Sequence, residues 1–179
     1  DQDNSSAAEV SVTINARQGV ALQDVLATTF GHSEAAAAIR MRSEMAFYAT
    51  SRTYDVAGDE GTYGSFMPSF GPEDSLDRGI LLHVSNDPAD SGFRSNIGFV
   101  NPGLTSVTVA MSVFDADTGV LVGRESLDLQ PRTFSQINNV FRFVGSRNEE
   151  VGNATVEFSA TAPLKTLSRK LGFRAATMP

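Results

Sequence analysis

Cysteine and tryptophan are both absent from the 179 residues of this chain. Without cysteine there is no disulfide, no thiolate zinc site and no cysteine nucleophile. This absence does not fix the cellular compartment, because a chain of this length can bury a core without disulfides. Without tryptophan the chain lacks its strongest aromatic platform for a sugar, which argues against sugar cleavage and strong sugar stacking.

Positive charge and long apolar runs are also scarce. The chain has 14 Lys and Arg against 21 Asp and Glu, a formal net charge of −7, and no basic cluster. Nucleic acid and anionic membrane surfaces are therefore not expected as partners. No apolar run reaches the length of a transmembrane helix, so no membrane insertion is predicted. Hydrophobic residues still make up 41% of the chain, which predicts a folded core.

Only two histidines are available for acid–base chemistry, His32 and His83. A catalytic triad needs a histidine beside a nucleophile and an orienting acid, and no Gly-x-Ser-x-Gly motif occurs. His83 lies in the apolar run 80–85 and is predicted to be an ordinary sheet histidine. His32 follows Gly31, where a helix-end turn is the simpler role. The sequence therefore predicts no catalytic, cofactor-binding or metal-ligating residue, no cofactor and no enzyme activity.

Carboxylates are plentiful but lie in turn-rich stretches, where acidic residues are common. A glycosidase pair could be assembled only from such residues: Asp55, Asp59, Glu60, Glu73, Asp74 and Asp77. The run 115–119 is similar to the start of a calcium loop, but Ser126 stands where the last acidic ligand belongs. A hairpin turn explains that run better, while weak calcium binding at the loop holding Glu73 remains an alternative.

Arginine and aromatic side chains give two further candidate features. Arg52 and Arg169 each follow a serine on a predicted strand, and each is expected to cover apolar surface with its stem. The aromatic residues between positions 48 and 70 are expected to pack in the core and at edges rather than bind a ligand: Tyr48, Tyr54, Tyr63, Phe66 and Phe70. The glycosylation sequons at Asn4 and Asn153 carry little weight.

Alternation of apolar and polar residues predicts most of the strands. Residues 8–16 place Val10, Val12 and Ile14 on one face. In the run 93–102, Phe93, Ile97 and Phe99 are predicted to fill the core, with Arg94 and Asn96 at the outer face or an edge. Further strands are predicted over 47–54, 80–85, 107–113, 120–129, 154–160 and 164–170, and residues 61–68 are predicted to be a short strand or an ordered loop ended by Pro68. Helical spacing over 22–30, ended by Gly31, predicts a short helix.

The sequence repeats part of itself, and residues 12–54 and 127–171 are the two related segments. Without a gap Arg17 falls on Arg132, and the next apolar residues also match: Leu22 with Ile137, Val25 with Val140, and Leu26 with Phe141. After a two-residue adjustment Ile39 meets Val156, Met41 meets Phe158 and Phe47 meets Leu164. The alternation in the second copy predicts that residues 39–43 form a strand, although the preceding alanines favour helix.

Three short motifs resemble a known repeat. Ser-Arg-Thr-Tyr at 51–54, Gly-Thr-Tyr-Gly at 61–64 before Pro68, and Phe-Arg-Ser-Asn-Ile-Gly-Phe-Val-Asn at 93–101 occur in this order. They resemble a tandem β-sandwich module of secreted and cell-surface bacterial proteins, over roughly residues 22–170. The resemblance implies an extracellular or cell-surface location and a structural role, and it implies no chemistry.

The predicted fold is all-β, a two-sheet antiparallel β-sandwich of immunoglobulin-like or jelly-roll-like type with one or two short helices and an internal repeat. Residues 1–7 are a polar tail, 8–172 the sandwich and 173–179 a second tail. The predicted function is that of a non-enzymatic structural or adhesive module, with neighbouring copies or adjacent domains as partners and a homo-oligomer as one possibility. Two alternatives remain: a self-assembling filament or surface-layer subunit that pairs through its N-terminal strand, and a carbohydrate- or calcium-binding accessory module.

Overall fold

The computed structural model describes residues 4, 7–56, 62–87, 93–146 and 150–172. Most of the tail 1–7 and all of the tail 173–179 lie outside the described residues. Contacts divide the chain into two compact units. The larger consists of Asp1–Ala38 with Leu76–Pro179, and the smaller is Ile39–Ser75.

The fold is all-β with antiparallel pairing and few short helices, as the sequence predicts. Its helices are short, α1 (Val25–Phe30), α2 (Val140–Phe143) and a 3-10 turn (Pro72–Asp74), and none of the described helices could cross a membrane. The strands are β1 (Thr50–Val56), β2 (Thr62–Pro68), β3 (Leu76–Asn86), β4 (Phe93–Val100), β5 (Val107–Asp115), β6 (Leu121–Leu129), β7 (Phe134–Ile137) and β8 (Val151–Gly172).

Two sheets are present in the described part of the chain. In the smaller unit β1 and β2 form a hairpin in which Thr50 lies across from Pro68 and Val56 across from Thr62. In the larger unit six strands form one curled sheet in the order β6-β5-β8-β3-β4-β7, with a further pairing between β8 and β4. All pairings in both sheets are antiparallel.

Strand β8 holds the larger sheet together. It runs for 22 residues and replaces the two separate strands predicted over 154–160 and 164–170. Its first part pairs with β5 as far as Ala160, and its last part pairs with β4 from Lys165 onward. Pro163 lies between these two ladders, where its missing N–H costs no hydrogen bond of either one. The proline therefore marks a change of partner and does not end the strand.

One hydrophobic core lies inside this curled sheet, and every strand of the sheet contributes to it. Ile97 and Phe99 are fully buried, which confirms that part of the prediction for β4. The rings of Phe99 and Phe158 meet edge to face, with centroids 5.7 Å apart. The side chain of Phe93 lies outside the described residues. The prediction for Asn96 was wrong, because this side chain is buried and hydrogen-bonded, not on the outer face.

Strand β3 changes face partway along its length. Ile80 and Leu82 are exposed, Leu81 packs against the core, and Val84 is fully buried. The pairing with β8 shifts register between Leu81 and Val84, and His83 between them has a left-handed φ of 57°. Such a bulge reverses the alternation. Strand β3 also begins at Leu76, ahead of the start that the sequence predicts at residue 80.

Two strand predictions were wrong. Residues 8–16 and 39–43 are neither strand nor helix, and β1 begins only at Thr50. Val10 and Ile14 are about half exposed, at 52% and 50%. An alternating pattern becomes a strand only beside another strand that completes its hydrogen bonds, and no described strand pairs with either stretch. The predicted helix is confirmed as α1, and Gly31 ends it with a left-handed φ of 73°.

Candidate functional site

Four asparagine side chains meet where β3, β4 and α2 come together. We call this group, Asn86, Asn96, Asn138 and Asn139, the asparagine cluster. The Asn139 amide donates to the Asn86 oxygen at 3.0 Å, and the Asn96 amide donates to the Asn138 oxygen at 3.1 Å. The backbone N–H of Asn139 donates to the Asn96 oxygen at 3.2 Å. The cluster thereby joins two strands to the turn that precedes a helix.

Asn139 also begins helix α2. Its side-chain oxygen accepts hydrogen bonds from the backbone N–H groups of Phe141 and Arg142, at 3.1 and 3.2 Å. Asparagine is among the preferred N-cap residues because its oxygen satisfies the free N–H groups of the first turn. Its φ of 68° is one that asparagine tolerates better than most residues. The cap holds Val140 and Phe141 in the core, where both are fully buried.

Replacing Asn139 by alanine is expected to lower the free energy of unfolding by about 2–3 kcal/mol, since the cap and the tolerance of positive φ are both lost. Asn139→Gly removes the same hydrogen bonds but accepts the backbone conformation, so we expect roughly half that loss. Urea unfolding followed by circular dichroism measures both. Equal losses for the two variants would show that the backbone conformation contributes nothing.

An open cleft of about 430 Å³ lies beside the asparagine cluster. Strand β6 contributes Leu127, and the rest come from β7, α2 and the turn between them: Ser135, Gln136, Ile137, Asn138, Arg142 and Phe143. Within it the Gln136 amide donates to the Asn138 oxygen at 2.6 Å. The lining offers amide groups, one hydroxyl and one guanidinium, without a carboxylate or histidine. Such a surface can donate hydrogen bonds to a polypeptide but holds no acid–base pair.

Asn101 forms a second internal junction. It is fully buried, and its side-chain nitrogen lies 2.8–3.1 Å from the carbonyl oxygens of Thr105, Leu129 and Gln130. Its side-chain oxygen accepts from the N–H of Gly103 at 2.9 Å. One side chain thus fixes the turn between β4 and β5 against the end of β6. The sequence motif 93–101 shows the asparagines, but it does not show that they point inward.

The stretch 115–119 forms a hairpin turn centred on one carboxylate. The Asp115 side chain accepts from the Thr118 hydroxyl at 2.7 Å and from the N–H groups of Thr118 and Asp117 at 2.8 and 3.1 Å. The Thr118 hydroxyl hydrogen bond is the main reason that the pKa of Asp115 lies below its ordinary value of 3.8. The Asn153 amide donates to Asp117 at 3.3 Å. The Asp115 carboxylate therefore stabilises the hairpin turn.

The lowered pKa of Asp115 predicts a dependence of stability on pH. The ionised carboxylate stabilises the turn fully above its unfolded pKa of about 3.9, and this contribution disappears as the pH falls through the lower folded pKa. The substitution Asp115→Asn keeps an acceptor but removes the charge, so this variant should lose stability less steeply with acid below about pH 4. Carboxyl chemical shifts from an NMR titration give the pKa directly. A folded pKa at or above the ordinary value would contradict the prediction.

The remaining candidate residues are the two histidines and the six carboxylates in turn-rich stretches. His32 and His83 are both exposed, and among the described residues no three histidine, aspartate or glutamate side chains come together as a metal site. Glu73, Asp74 and Asp77 are exposed, while Asp59 and Glu60 and the side chain of Asp55 lie outside the described residues. The Asp74 carboxylate accepts from the N–H of Gly71 at 2.6 Å, which closes a turn within the smaller unit.

The aromatic residues of the smaller unit are more exposed than predicted. Tyr48 is 84% exposed and Phe66 62% exposed, and Tyr54 and Phe70 are also exposed. A role in core packing is therefore wrong for these four. The Arg52 guanidinium lies 5.7 Å from the ring centre of Tyr54, a cation–π contact on the surface of β1. The side chains of Tyr63 and Arg169 lie outside the described residues.

Comparisons with known proteins show no family for this chain. No family model and no curated protein matches it. Among solved structures it is similar to the Anabaena sensory rhodopsin transducer, with 13% identity and a TM-score of 0.39 over 53% of this chain and 98% of that chain. A likeness at this level supports no conclusion about function.

Proposed function

We propose that the chain is a non-enzymatic structural module of an extracellular or cell-surface protein, one that presents surfaces to, or spaces, neighbouring domains. The observation that carries the proposal is the use of Asn101 and Asn96 inside the fold. Both belong to the motif 93–101, both are buried, and both amides bind groups of the same chain. The resemblance of that motif to secreted bacterial repeats supports the location.

The way these polar groups are used distinguishes a structural motif from a binding motif. A residue that recognises a ligand keeps donors or acceptors free at the surface, whereas a buried polar residue must satisfy them internally. The Asn101 amide lies within hydrogen-bonding distance of three carbonyl groups. The asparagines of the motif 93–101 therefore stabilise the fold.

Protease treatment of intact cells that make the protein tests the location. Loss of the antibody signal for this chain, with a cytoplasmic marker kept intact, is the expected result. A signal that survives on intact cells and disappears only after lysis would overturn the extracellular part of the proposal. Melting temperatures with and without calcium, together with a glycan array, test the accessory-module alternative, and we expect no shift and no binding.

Self-assembly is the second candidate function, and the apolar residues of the N-terminal stretch favour it. Val10, Val12 and Ile14 alternate with polar residues and are each about half exposed, at 52%, 46% and 50%. A segment with this alternation can add to the open edge of a neighbouring sheet as a strand. Light scattering at increasing concentration distinguishes the cases, since filaments or large oligomers would support this candidate and a monomer would exclude it.

A further inference from the structure

The cleft beside the asparagine cluster lies where the curled sheet is open. Strands β6 and β7 are the two ends of the strand order β6-β5-β8-β3-β4-β7, and residues of both line the cleft. Strand β7 contributes Ser135, Gln136 and Ile137 in succession. Successive side chains of a strand point to opposite faces, so a cleft lined by three in a row runs along the edge of that strand. The cleft therefore follows the backbone edge of β7.

That edge of β7 has room for another strand. Among the described strands, β7 pairs with β4 alone. An unpaired edge presents backbone N–H and C=O groups to which an added strand can bind. Strand β7 is only four residues long, Phe134–Ile137, so the backbone pairing would be short. Side chains that line the cleft must therefore supply much of the selectivity.

The lining favours an occupant that combines apolar residues with one carboxylate. Ile137 is 6% exposed, and Leu127 and Phe143 are partly buried against the core. Arg142 is exposed and is the one charged group among the described residues that line the cleft. In the described part of the chain, no carboxylate lies within ion-pair distance of its guanidinium. An acidic side chain on the occupant would complement this charge.

The N-terminal segment, residues 8–16, has this composition. Val10, Val12 and Ile14 alternate along it and are each about half exposed. Its one charged residue is Glu9. The segment is neither strand nor helix in the larger unit to which it belongs. It therefore offers a strand pattern, exposed apolar side chains and a carboxylate, as the cleft requires.

The N-terminal segment does not fill the cleft of its own chain. The backbone N–H of Asn4 donates to the carbonyl oxygen of Pro131 at 3.2 Å, which places the start of this stretch at the connection between β6 and β7. None of the described residues that line the cleft belongs to the segment. A second copy can therefore supply its segment without displacing a strand of the sheet.

We propose that the cleft binds the N-terminal segment of a second copy of this chain, which adds to β7 as an antiparallel strand. The charges set the direction. Arg142 follows the C-terminal end of β7 and Glu9 lies near the N-terminal end of the segment, so an ion pair between them makes the two strands antiparallel. The inference rests on self-assembly, the second candidate function above, and names its acceptor site.

Alternation fixes the register of this pairing. With Val10 across from Ile137, both side chains point to the face of β7 on which Ile137 is buried. Ser11 then lies across from Gln136 on the opposite, exposed face, and Glu9 extends one residue beyond toward α2. A shift by one residue would turn the valines of the segment to the exposed face.

The interface is expected to be weak. One short strand buries less than the roughly 1,200 Å² of the smallest stable interfaces, so association in the high micromolar range is expected. The experiments therefore use the full chain at concentrations up to about 1 mM, where an interaction of this strength is populated.

Cysteine cross-linking tests the site and the register, because the natural chain has no cysteine. Ser11→Cys and Gln136→Cys are made in separately tagged chains, which are mixed under mild oxidation. Opposite residues of antiparallel strands have Cα atoms about 4.5–5.5 Å apart, within reach of a disulfide. Asn15→Cys with Gln136→Cys is the control, since its two cysteines would lie about 13 Å apart along the strand. We expect the Ser11→Cys pair to cross-link at least about tenfold faster than the control.

Charge reversal tests the ion pair. Arg142→Glu and Glu9→Arg are each expected to weaken association by about two- to fivefold in sedimentation experiments. The two single variants mixed together should associate as strongly as the natural chain, and a variant that merely destabilised α2 would not be rescued in this way. Arg124→Glu is the matched control, because Arg124 is exposed on β6 and does not line the cleft. It should leave association unchanged.

Failure of this inference is distinguishable from failure of self-assembly. A chain that stays monomeric up to about 1 mM excludes both. Oligomers in which Ser11→Cys cross-links to Gln136→Cys no faster than Asn15→Cys does would overturn the acceptor site and leave self-assembly standing. A chain that carries both Ser11→Cys and Gln136→Cys and forms the disulfide within itself would also overturn the proposal, because the occupant would then be its own segment.

Discussion

Phe99→Ala is expected to lower the free energy of unfolding of the larger unit by about 3–5 kcal/mol, the usual cost of removing a buried phenylalanine. Phe99 is fully buried near the end of β4, and its ring contacts that of Phe158 with centroids 5.7 Å apart. Strand β4 also pairs with both β7 and β8, so a cavity there has few ways to collapse.

The measurement must report on the larger unit. The three tyrosines of the chain, Tyr48, Tyr54 and Tyr63, all lie in the smaller unit, so tyrosine fluorescence would follow the wrong region. Urea unfolding by circular dichroism, or exchange of β5 amides, is suitable. Leu104→Ala at a 67% exposed turn position is the control and should change stability by less than about 0.5 kcal/mol. A loss below about 1 kcal/mol for Phe99→Ala would show that β4 is not central to the core.

Asn101→Leu is expected to lower the free energy of unfolding by about 3 kcal/mol, although the two side chains have the same branching and the same number of heavy atoms. The change leaves the carbonyl groups of Thr105, Leu129 and Gln130 and the N–H of Gly103 without their partner. Each buried polar group left unsatisfied costs about 1–3 kcal/mol, reduced where water can enter. The expected consequence is a loose turn between β4 and β5, visible as faster amide exchange at its residues.

Asn101→Asp separates hydrogen bonding from size. The carboxylate still accepts from Gly103, but it faces the carbonyl oxygens without a donor. We expect it to be at least as destabilising as Asn101→Leu near neutral pH, and to recover stability as the pH is lowered toward about 4, where the group can be protonated and donate. Stability of Asn101→Asp that is independent of pH would show that water already occupies the junction.

Most strands of the larger sheet could be predicted because their alternating residues lie beside neighbouring strands that complete their hydrogen bonds. Val107 to Val113 alternate in sequence, and the same residues alternate between core and surface in β5. Polar residues inside the core were harder to foresee. Asn96 alternates out of phase with Ile97 and Phe99, so period alone assigned it to the surface, whereas a junction with Asn138 and Asn139 buries it.

Failures of prediction in the first half have a different physical origin. The alternation over 8–16 and 39–43 is as regular as that of β5. A strand forms, however, only where a neighbouring strand accepts and donates its backbone hydrogen bonds. The alternation of a sequence predicts which residues could face a core. It does not predict whether another strand is present to pack against them. Within β3 the bulge at His83 reverses the alternation, and no residue in that run signals it in advance.

Long strand β8 has a consequence for the order of events during synthesis. Its residues 151–172 are the last of the larger sheet to be made, yet β3, β4 and β5 all take it as a neighbour. Before it leaves the ribosome only the local hairpin of β5 and β6 and the short contacts between β3 and β4 and between β4 and β7 can form. Strands β3, β4 and β5 therefore lack their β8 neighbour until it has been made, and we expect the larger sheet to form slowly compared with locally paired folds.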